Sequence, residues 1–197
     1  MPAQGSALAW YRRAAQIAIV ALILALPPGE LVAQPLDTGT SAFAYERSGF
    51  WLRIGFGYGG IDITCDVCTF DREWDLTGFF GIGGTISDRI QIGVGSNGWT
   101  ETDDFEVTAG LASLQTVLYP DERSALFLQV GGGLAYVVDT GLDDSEIGPG
   151  VLIGAGVDFP VSNGLALTAY GGFVYGWLGD VDVDFNTLQF GAGIAVP

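Results

Sequence analysis

The sequence of 197 residues contains no histidine and no lysine. Without histidine, Ser-His-Asp and Cys-His nucleophile activation, histidine-containing metal sites and a histidine general base are excluded. All seven basic residues are arginines, and the 23 acidic residues give a formal net charge of -16. Binding to nucleic-acid phosphates needs a basic footprint, as does electrostatic docking onto an anionic lipid surface. The composition therefore argues against nucleic acid as a partner.

Long apolar runs are also scarce, and the clearest one lies near the amino terminus. Arg12 and Arg13 precede a mostly apolar run of thirteen residues, 14–26. Ala33 provides a small residue at the position expected for a signal-peptidase cleavage site. A basic flank, an apolar core of roughly 7–15 residues and a small-residue site are typical of a secretory signal. The run is shorter than the ~20 residues of a spanning helix. We predict a cleaved signal peptide over 1–33, with a retained anchor as the alternative, and a periplasmic lead-in over 34–48.

What the sequence has in abundance is glycine, with 31 residues, set into segments of alternating hydrophobicity. In Phe50–Tyr58 every even-numbered residue is apolar, whereas the odd-numbered ones are polar or glycine apart from Trp51. Only a β-strand sends alternate side chains to opposite sides. Such a strand suits a sheet with lipid outside and a narrow interior, where inward glycines make room for large side chains. The large side chains expected there are Trp51, Phe79, Phe127 and Tyr170.

Eight segments with this alternation follow one another along the chain. They span about 50–58, 75–86, 90–98, 107–119, 125–138, 151–159, 165–175 and 187–196. In the fourth, we place Leu114 outward and Gln115 inward. Short links near Asp88, Asp121 and Ser162 alternate with longer acidic ones, as in outer-membrane barrels. We therefore predict an all-β fold over 49–197: an eight-stranded antiparallel up-and-down transmembrane β-barrel.

A soluble periplasmic barrel of the lipocalin kind, with its apolar face turned inward around a ligand, is the alternative. Its outer face would then be the glycine-rich one. In the predicted strands that face carries only Arg53 and Asp158 as clear charges, which is too few for a soluble surface.

Arg53 is the interior cation of the predicted barrel. Burying a guanidinium without a partner is costly, so we expect a carboxylate or a polar cluster beside it. The candidates are Gln129, Asp158, Tyr170 and Gln189. Eight-stranded interiors are usually filled by side chains, which favours a packing role for this group; a narrow pore for small solutes or ions is the alternative.

The two cysteines lie close together in the first long loop, as Cys65-Asp66-Val67-Cys68. In an exported protein such a pair favours a disulfide. A redox-active pair would need a helix N-terminus or a basic group nearby, and a metal site would need two further ligands. All three alternatives remain open, with the disulfide preferred.

Acidic residues concentrate in the four long links, which carry sixteen of them. They form either a solvated, self-repelling surface or a means of capturing divalent cations, including bridges to lipopolysaccharide phosphates. Asp180, Asp182 and Asp184 resemble the start of a calcium loop. Phe185 at the sixth position, and the lack of a glutamate at the twelfth, exclude an EF-hand.

From about residue 49 to residue 197 the strand pattern resembles the small eight-stranded outer-membrane β-barrel domain family, the OmpA/OmpX kind. The last strand in that family carries a recognition signal for the insertion machinery, and its places are filled here by Gln189, Gly191, Ile194 and Val196. Val196 stands where the family usually has phenylalanine. The Cys-x-x-Cys loop is similar to that of a subset of these barrels.

The resemblance implies an integral protein of a Gram-negative type outer membrane, with a structural or surface-interaction role. Its partners would be outer-membrane lipid, lipopolysaccharide and the insertion machinery. Known enzymes on this architecture rely on a histidine, so we expect neither an enzyme nor a cofactor.

Overall fold

The computed structural model describes residues 47–65, 68–69, 72–102, 107–141, 144–162, 164–178 and 183–196, with side chains except at 65, 68, 69 and 144. The predicted signal peptide and nearly all of the lead-in lie outside these residues. Within them the strands are β1 (Phe50–Cys65), β2 (Cys68–Thr69), β3 (Glu73–Ser87), β4 (Ile90–Thr100), β5 (Val107–Leu118), β6 (Leu126–Asp139), β7 (Asp144–Ser162), β8 (Leu165–Leu178) and β9 (Val183–Val196). None of these residues forms a helix long and apolar enough to cross a membrane.

The predicted eight-stranded antiparallel barrel is confirmed. β1 and β3 to β9 each pair with the next strand along the chain, and β9 pairs back with β1, which closes the sheet. The two-residue β2 pairs only with the far end of β1. Closure leaves none of these eight strands with an unpaired edge.

The register fixes the dimensions of the barrel. Starting from Leu52, successive ladder partners are Ile82, Val94, Leu114, Gly132, Val151, Tyr175, Asn186 and finally Asp62. One circuit therefore returns to β1 ten residues further along. A stagger of this kind tilts the strands by roughly 35–45° and gives an interior that side chains can fill.

Closure converts the alternation of each strand into an inside and an outside. Phe56 is 74% exposed on the outer face, whereas its near neighbour Trp51 is 2% exposed in the interior. The predicted facing also holds in β5, where Leu114 is 63% exposed and Gln115 is buried. The expected sidedness, apolar outward and small or polar inward, is confirmed for the predicted segments.

The strands run further than the sequence predicts towards one end of the barrel. We call this the long-loop end; the opposite, short-turn end carries the links 88–89 and 119–125 and the link between β7 and β8. On β1 the two faces exchange chemical character beyond Gly60. The inward-facing residues there, Ile61 and Ile63, are apolar, and Asp62 on the outer face is acidic. β9 inverts in the same way, with Phe185 buried and Asp184 on the opposite side. On these two strands the pattern ends where the faces exchange, which is why both were predicted too short.

Candidate functional site

An ion pair crosses the interior between two strands that are not neighbours. Arg53 of β1 and Asp158 of β7 approach to 2.8 Å between Nη2 and Oδ2, and both side chains are buried. Tyr119, immediately after β5, accepts a hydrogen bond from Arg53 Nη2 at 3.0 Å and donates one to Asp158 Oδ2 at 3.0 Å. The guanidinium of Arg53 also lies 4.0 Å from the ring centroid of Phe127. The expected carboxylate partner of Arg53 is therefore Asp158, with Tyr119 as a third member.

A second arginine, Arg47, lies at the short-turn end and is buried. Its guanidinium donates to the carbonyl oxygens of Glu122 at 2.9 Å and of Ser124, and lies 3.6 Å from the ring centroid of Tyr119. These contacts tie the chain before β1 to the turn between β5 and β6. The sequence predicts that Arg47 belongs to the lead-in over 34–48. That segment has no periodicity, so only the residue type of Arg47 could have indicated these contacts.

A chain of amides lies beside the ion pair. Gln129 Nε2 donates to Gln115 Oε1 at 2.7 Å, and Gln115 Nε2 donates to Asn97 Oδ1 at 3.3 Å. Asn97 Nδ2 in turn donates to the hydroxyl of Tyr170 at 3.4 Å. The structure thus brings Gln129 and Tyr170 into one network. Gln189 of β9 is buried on the same inner face, close to Tyr170.

Aromatic rings fill the space that inward glycines leave, as expected. A Cβ on Gly156 would lie 2.3 Å from the ring of Phe127, and one on Gly154 would meet the ring and hydroxyl of Tyr170 at 2.6–2.9 Å. The rings of Phe127 and Tyr170 stack with centroids 6.4 Å apart. Beside the ion pair, a cavity of about 10 Å³ is no larger than one water. The middle of the barrel is packed rather than open.

The interior towards the long-loop end is apolar. Its buried cluster comprises Ile61, Trp99, Ala109, Leu111, Ala135, Leu152, Val174, Leu178 and Phe185. Above part of this cluster is a cavity of about 320 Å³, which we call the mouth cup. Its lining is Ile61, Ile63, Glu73, Trp99, Val107, Val137 and Asp139. Sequence reasoning missed this site because its residues come from five strands, most of them beyond the predicted ends.

The cysteine loop is described only in its backbone. Cys65 and Cys68 are ladder partners at the tip of the β1–β2 hairpin. Their side chains lie outside the described residues, so the disulfide stays a prediction, as do the redox and metal alternatives.

The acidic residues of the long links have separate positions where they are described. Asp62 contacts Arg72 at 3.4 Å, Asp75 accepts hydrogen bonds from Thr102, and Asp184 accepts one from Tyr175 at 2.8 Å. The other two candidate calcium ligands, Asp180 and Asp182, lie outside the described residues. No group of three or more metal-binding side chains occurs within the described part of the chain.

The four residues matched to the insertion signal lie on β9. Gln189 and Gly191 face the interior, whereas Ile194 is exposed on the outer face and Val196 shares that face. This alternation is that of the strand as a whole, and their role in recognition stays a prediction.

No protein-family model and no curated protein match this sequence. The fold is that of the small eight-stranded outer-membrane β-barrels. The crystal structure of Neisserial surface protein A matches with 18% identity and a TM-score of 0.56, over 76% of this chain and 97% of that one. At this identity the likeness establishes the fold.

Two further solved structures match with lower TM-scores. The N-terminal β-barrel domain of Pseudomonas aeruginosa OprF has 15% identity, covers 77% of this chain and 98% of its own, and gives a TM-score of 0.49. Ail, the attachment invasion locus protein of Yersinia pestis, has 16% identity, 76% and 99% coverage and a TM-score of 0.47.

Proposed function

We propose that this protein is an integral β-barrel of the outer membrane, with a structural or surface-interaction role at the cell surface. The observation that carries the proposal is the sidedness of the barrel. Large apolar side chains cover its outer face, among them Phe50, Ile54, Phe56, Leu114, Leu128, Leu134, Ile153, Leu167 and Phe190. The ion pair and the amide chain occupy the interior. A barrel dissolved in water would need charges outside, so this outer belt favours lipid.

The height of the outer belt fits a membrane. On β1 it runs from Phe50 to Tyr58, which is about 20 Å along the barrel axis at roughly 3.3 Å per residue and a tilt near 40°. Lipid-facing bands of such barrels are about 25 Å tall. At the long-loop end, Tyr58 stacks on Trp74 with ring centroids 5.9 Å apart, and the rings of Tyr175 and Trp177 meet edge to face with centroids 4.8 Å apart. Amphipathic aromatic rings of this kind favour the boundary between lipid and water.

The proposal includes export through the signal peptide and insertion by the barrel machinery, with lipid and lipopolysaccharide around the outer belt. In this arrangement the short turns face the periplasm and the long acidic links face outward. The likeness in fold to Neisserial surface protein A supports a position at the cell surface. We propose no catalytic role.

The outward belt disfavours the lipocalin alternative, in which the same side chains would surround a ligand. The packed middle disfavours the pore alternative, because Arg53, Asp158, Phe127 and Tyr170 occupy the path through the barrel. We expect planar-bilayer recordings to show no discrete conductance steps; regular steps would favour the pore.

Location is tested with the full chain expressed in a Gram-negative host. Carbonate extraction should leave the protein in the outer-membrane pellet, and its mobility on a detergent gel should change after boiling as the closed barrel unfolds. Recovery in the soluble fraction would reject the proposal.

A further inference from the structure

The residues just before β1, 47–49, make specific contacts at the short-turn end of the barrel. We call these three residues the strap. Gly49 has a φ of 81°, a backbone conformation that residues with a Cβ rarely adopt. Its carbonyl oxygen accepts a hydrogen bond from the backbone N–H of Thr85 at 2.8 Å. This turn at Gly49 lets the chain leave the line of β1, so that Arg47 can reach over the end of the barrel.

Arg47 reaches across the short-turn end to the far side of the barrel. Its guanidinium donates to the carbonyl oxygens of Glu122 at 2.9 Å and of Ser124, on the turn between β5 and β6. It also donates to the carbonyl oxygen of Asp88 at 3.4 Å, on the turn between β3 and β4. In the closed order of eight strands, β5 and β6 are the third and fourth neighbours of β1. The contacts of Arg47 with their turn therefore cross the opening of the barrel.

The strap covers an aromatic ring at the end of a strand. Tyr119 comes directly after β5, at the start of a turn, yet it is only 3% exposed. The Arg47 guanidinium lies 3.6 Å from the centroid of its ring. A cation over the face of an aromatic ring is attracted to it, and an arginine can make this contact while its N–H groups donate to other acceptors. Arg47 is thus held both by the ring beneath it and by carbonyl oxygens at the rim.

Tyr119 connects the strap to the ion pair, because its hydroxyl bonds to both Arg53 and Asp158. Arg53 is the fourth residue of β1 and Asp158 is the fifth from the end of β7, so the pair lies closer to the short-turn end than to the long-loop end. Towards the long-loop end the interior is filled by the buried apolar cluster. Water beside a buried ion pair raises the effective dielectric constant and weakens the attraction between the charges. Covering the short-turn end therefore protects this interaction.

We propose that Arg47 seals the short-turn end of the barrel and keeps water away from the Arg53–Asp158 pair. The guanidinium covers Tyr119, and the turn at Gly49 holds the strap in position. This role differs from general stabilisation of the barrel, because a seal protects the interior beside it and leaves the opposite end unchanged. The inference depends on the geometry of the folded barrel and not on where the barrel resides.

The test is hydrogen exchange of the buried indole N–H groups of Trp51 and Trp99. It is measured by NMR after transfer of the folded barrel, in nanodiscs of zwitterionic lipid, to deuterated water. Trp51 lies two residues before Arg53 on the same face of β1, and its indole N–H donates to the carbonyl oxygen of Ile92 at 3.3 Å. Trp99 is equally buried, at 2% exposed, but belongs to the apolar cluster towards the long-loop end. Trp51 therefore reports on the short-turn end, and Trp99 is the control in the same spectrum.

Three variants separate sealing from other effects of the strap. Arg47→Met keeps a long side chain and removes the guanidinium; the Trp51 indole N–H should then exchange about tenfold faster, while the Trp99 rate changes by less than about twofold. Gly49→Ala strains the turn because of its positive φ, and should accelerate exchange at Trp51 by about threefold. Arg123 is exposed on the turn that Arg47 contacts. Arg123→Met is therefore the matched control and should change neither rate.

Three results would overturn the proposal: exchange of Trp51 in the wild-type barrel as fast as that of the exposed Trp74, an unchanged Trp51 rate in Arg47→Met, or equal acceleration of Trp51 and Trp99. Equal acceleration would show that Arg47 stabilises the barrel as a whole without sealing one end. If Arg47→Met does not fold, Gly49→Ala is judged by the same criteria. The membrane proposal is judged separately, by extraction and gel mobility.

Discussion

At the scale of single residues, the interior depends on pairing the smallest side chain with the largest ones. Gly154 and Gly172 flank Tyr170, and at both glycines the three atoms nearest to an added Cβ belong to the Tyr170 ring or hydroxyl. Gly132, on the outer face, has nothing closer than 3.8 Å. A glycine on the inner face of the barrel therefore leaves room for a large side chain, whereas a glycine on the outer face has no close neighbour that needs this room.

We expect Gly154→Ala to lower the free energy of unfolding by about 1–3 kcal/mol, because the new methyl group overpacks the interior against Tyr170. In a Tyr170→Ala background the same change should cost almost nothing, since the clashing ring is gone. Gly132→Ala, the matched control, should be neutral within about 0.5 kcal/mol. Urea unfolding of the barrel in lipid vesicles measures all four variants; equal costs for Gly154→Ala with and without the tyrosine would contradict the packing described here.

At the scale of the strand, the outer face of β1 changes from apolar to polar beyond Gly60, and under the membrane proposal this change marks where the wall leaves lipid. Below it Ile54 and Phe56 are exposed on the outer face, whereas above it Ile61 is buried and Asp62 takes the outer side. Beyond the exchange, β1 and β9 thus have their apolar side chains inside, as in a soluble barrel, whereas below it their apolar side chains face outward. β1 moves its apolar side chains from the outer to the inner face without a break in the strand.

This boundary predicts how the outer face tolerates charge. Leu114→Arg, within the outer belt, should lower the free energy of unfolding by about 2–4 kcal/mol, because a charge at that depth loses its hydration. Thr64→Arg, on the same face beyond the exchange, should cost less than about 1 kcal/mol. The measurement is again urea unfolding in vesicles. Similar costs at the two positions would place the boundary elsewhere.

At the scale of the whole molecule, alternation was enough to predict the barrel and which side chains face its interior, and not enough to predict which of those side chains contact one another. The two-residue alternation of a β-strand assigns each residue to one face of the sheet. Because the sheet closes, one face becomes the inside of the barrel and the other the outside. The inward positions of Arg53 and Asp158 therefore followed from local sequence. Their contact with each other and with Tyr119 depends on a ten-residue stagger that accumulates over eight ladders. No local pattern records that stagger. Arg47 was missed for a related reason, since its partners are carbonyl groups on a turn 75 and 77 residues away.

The ion pair across the interior gives a prediction for the molecule as a unit, because it joins β1 to β7 without passing through the ladders between them. Asp158→Asn leaves the buried Arg53 without its counter-charge, and we expect a loss of about 3–5 kcal/mol in the free energy of unfolding. Arg53→Met combined with Asp158→Asn removes both charges and should recover most of that loss. Urea unfolding of the two single variants, the double variant and the wild type completes a double-mutant cycle. Additive costs would show that the two side chains do not interact across the barrel.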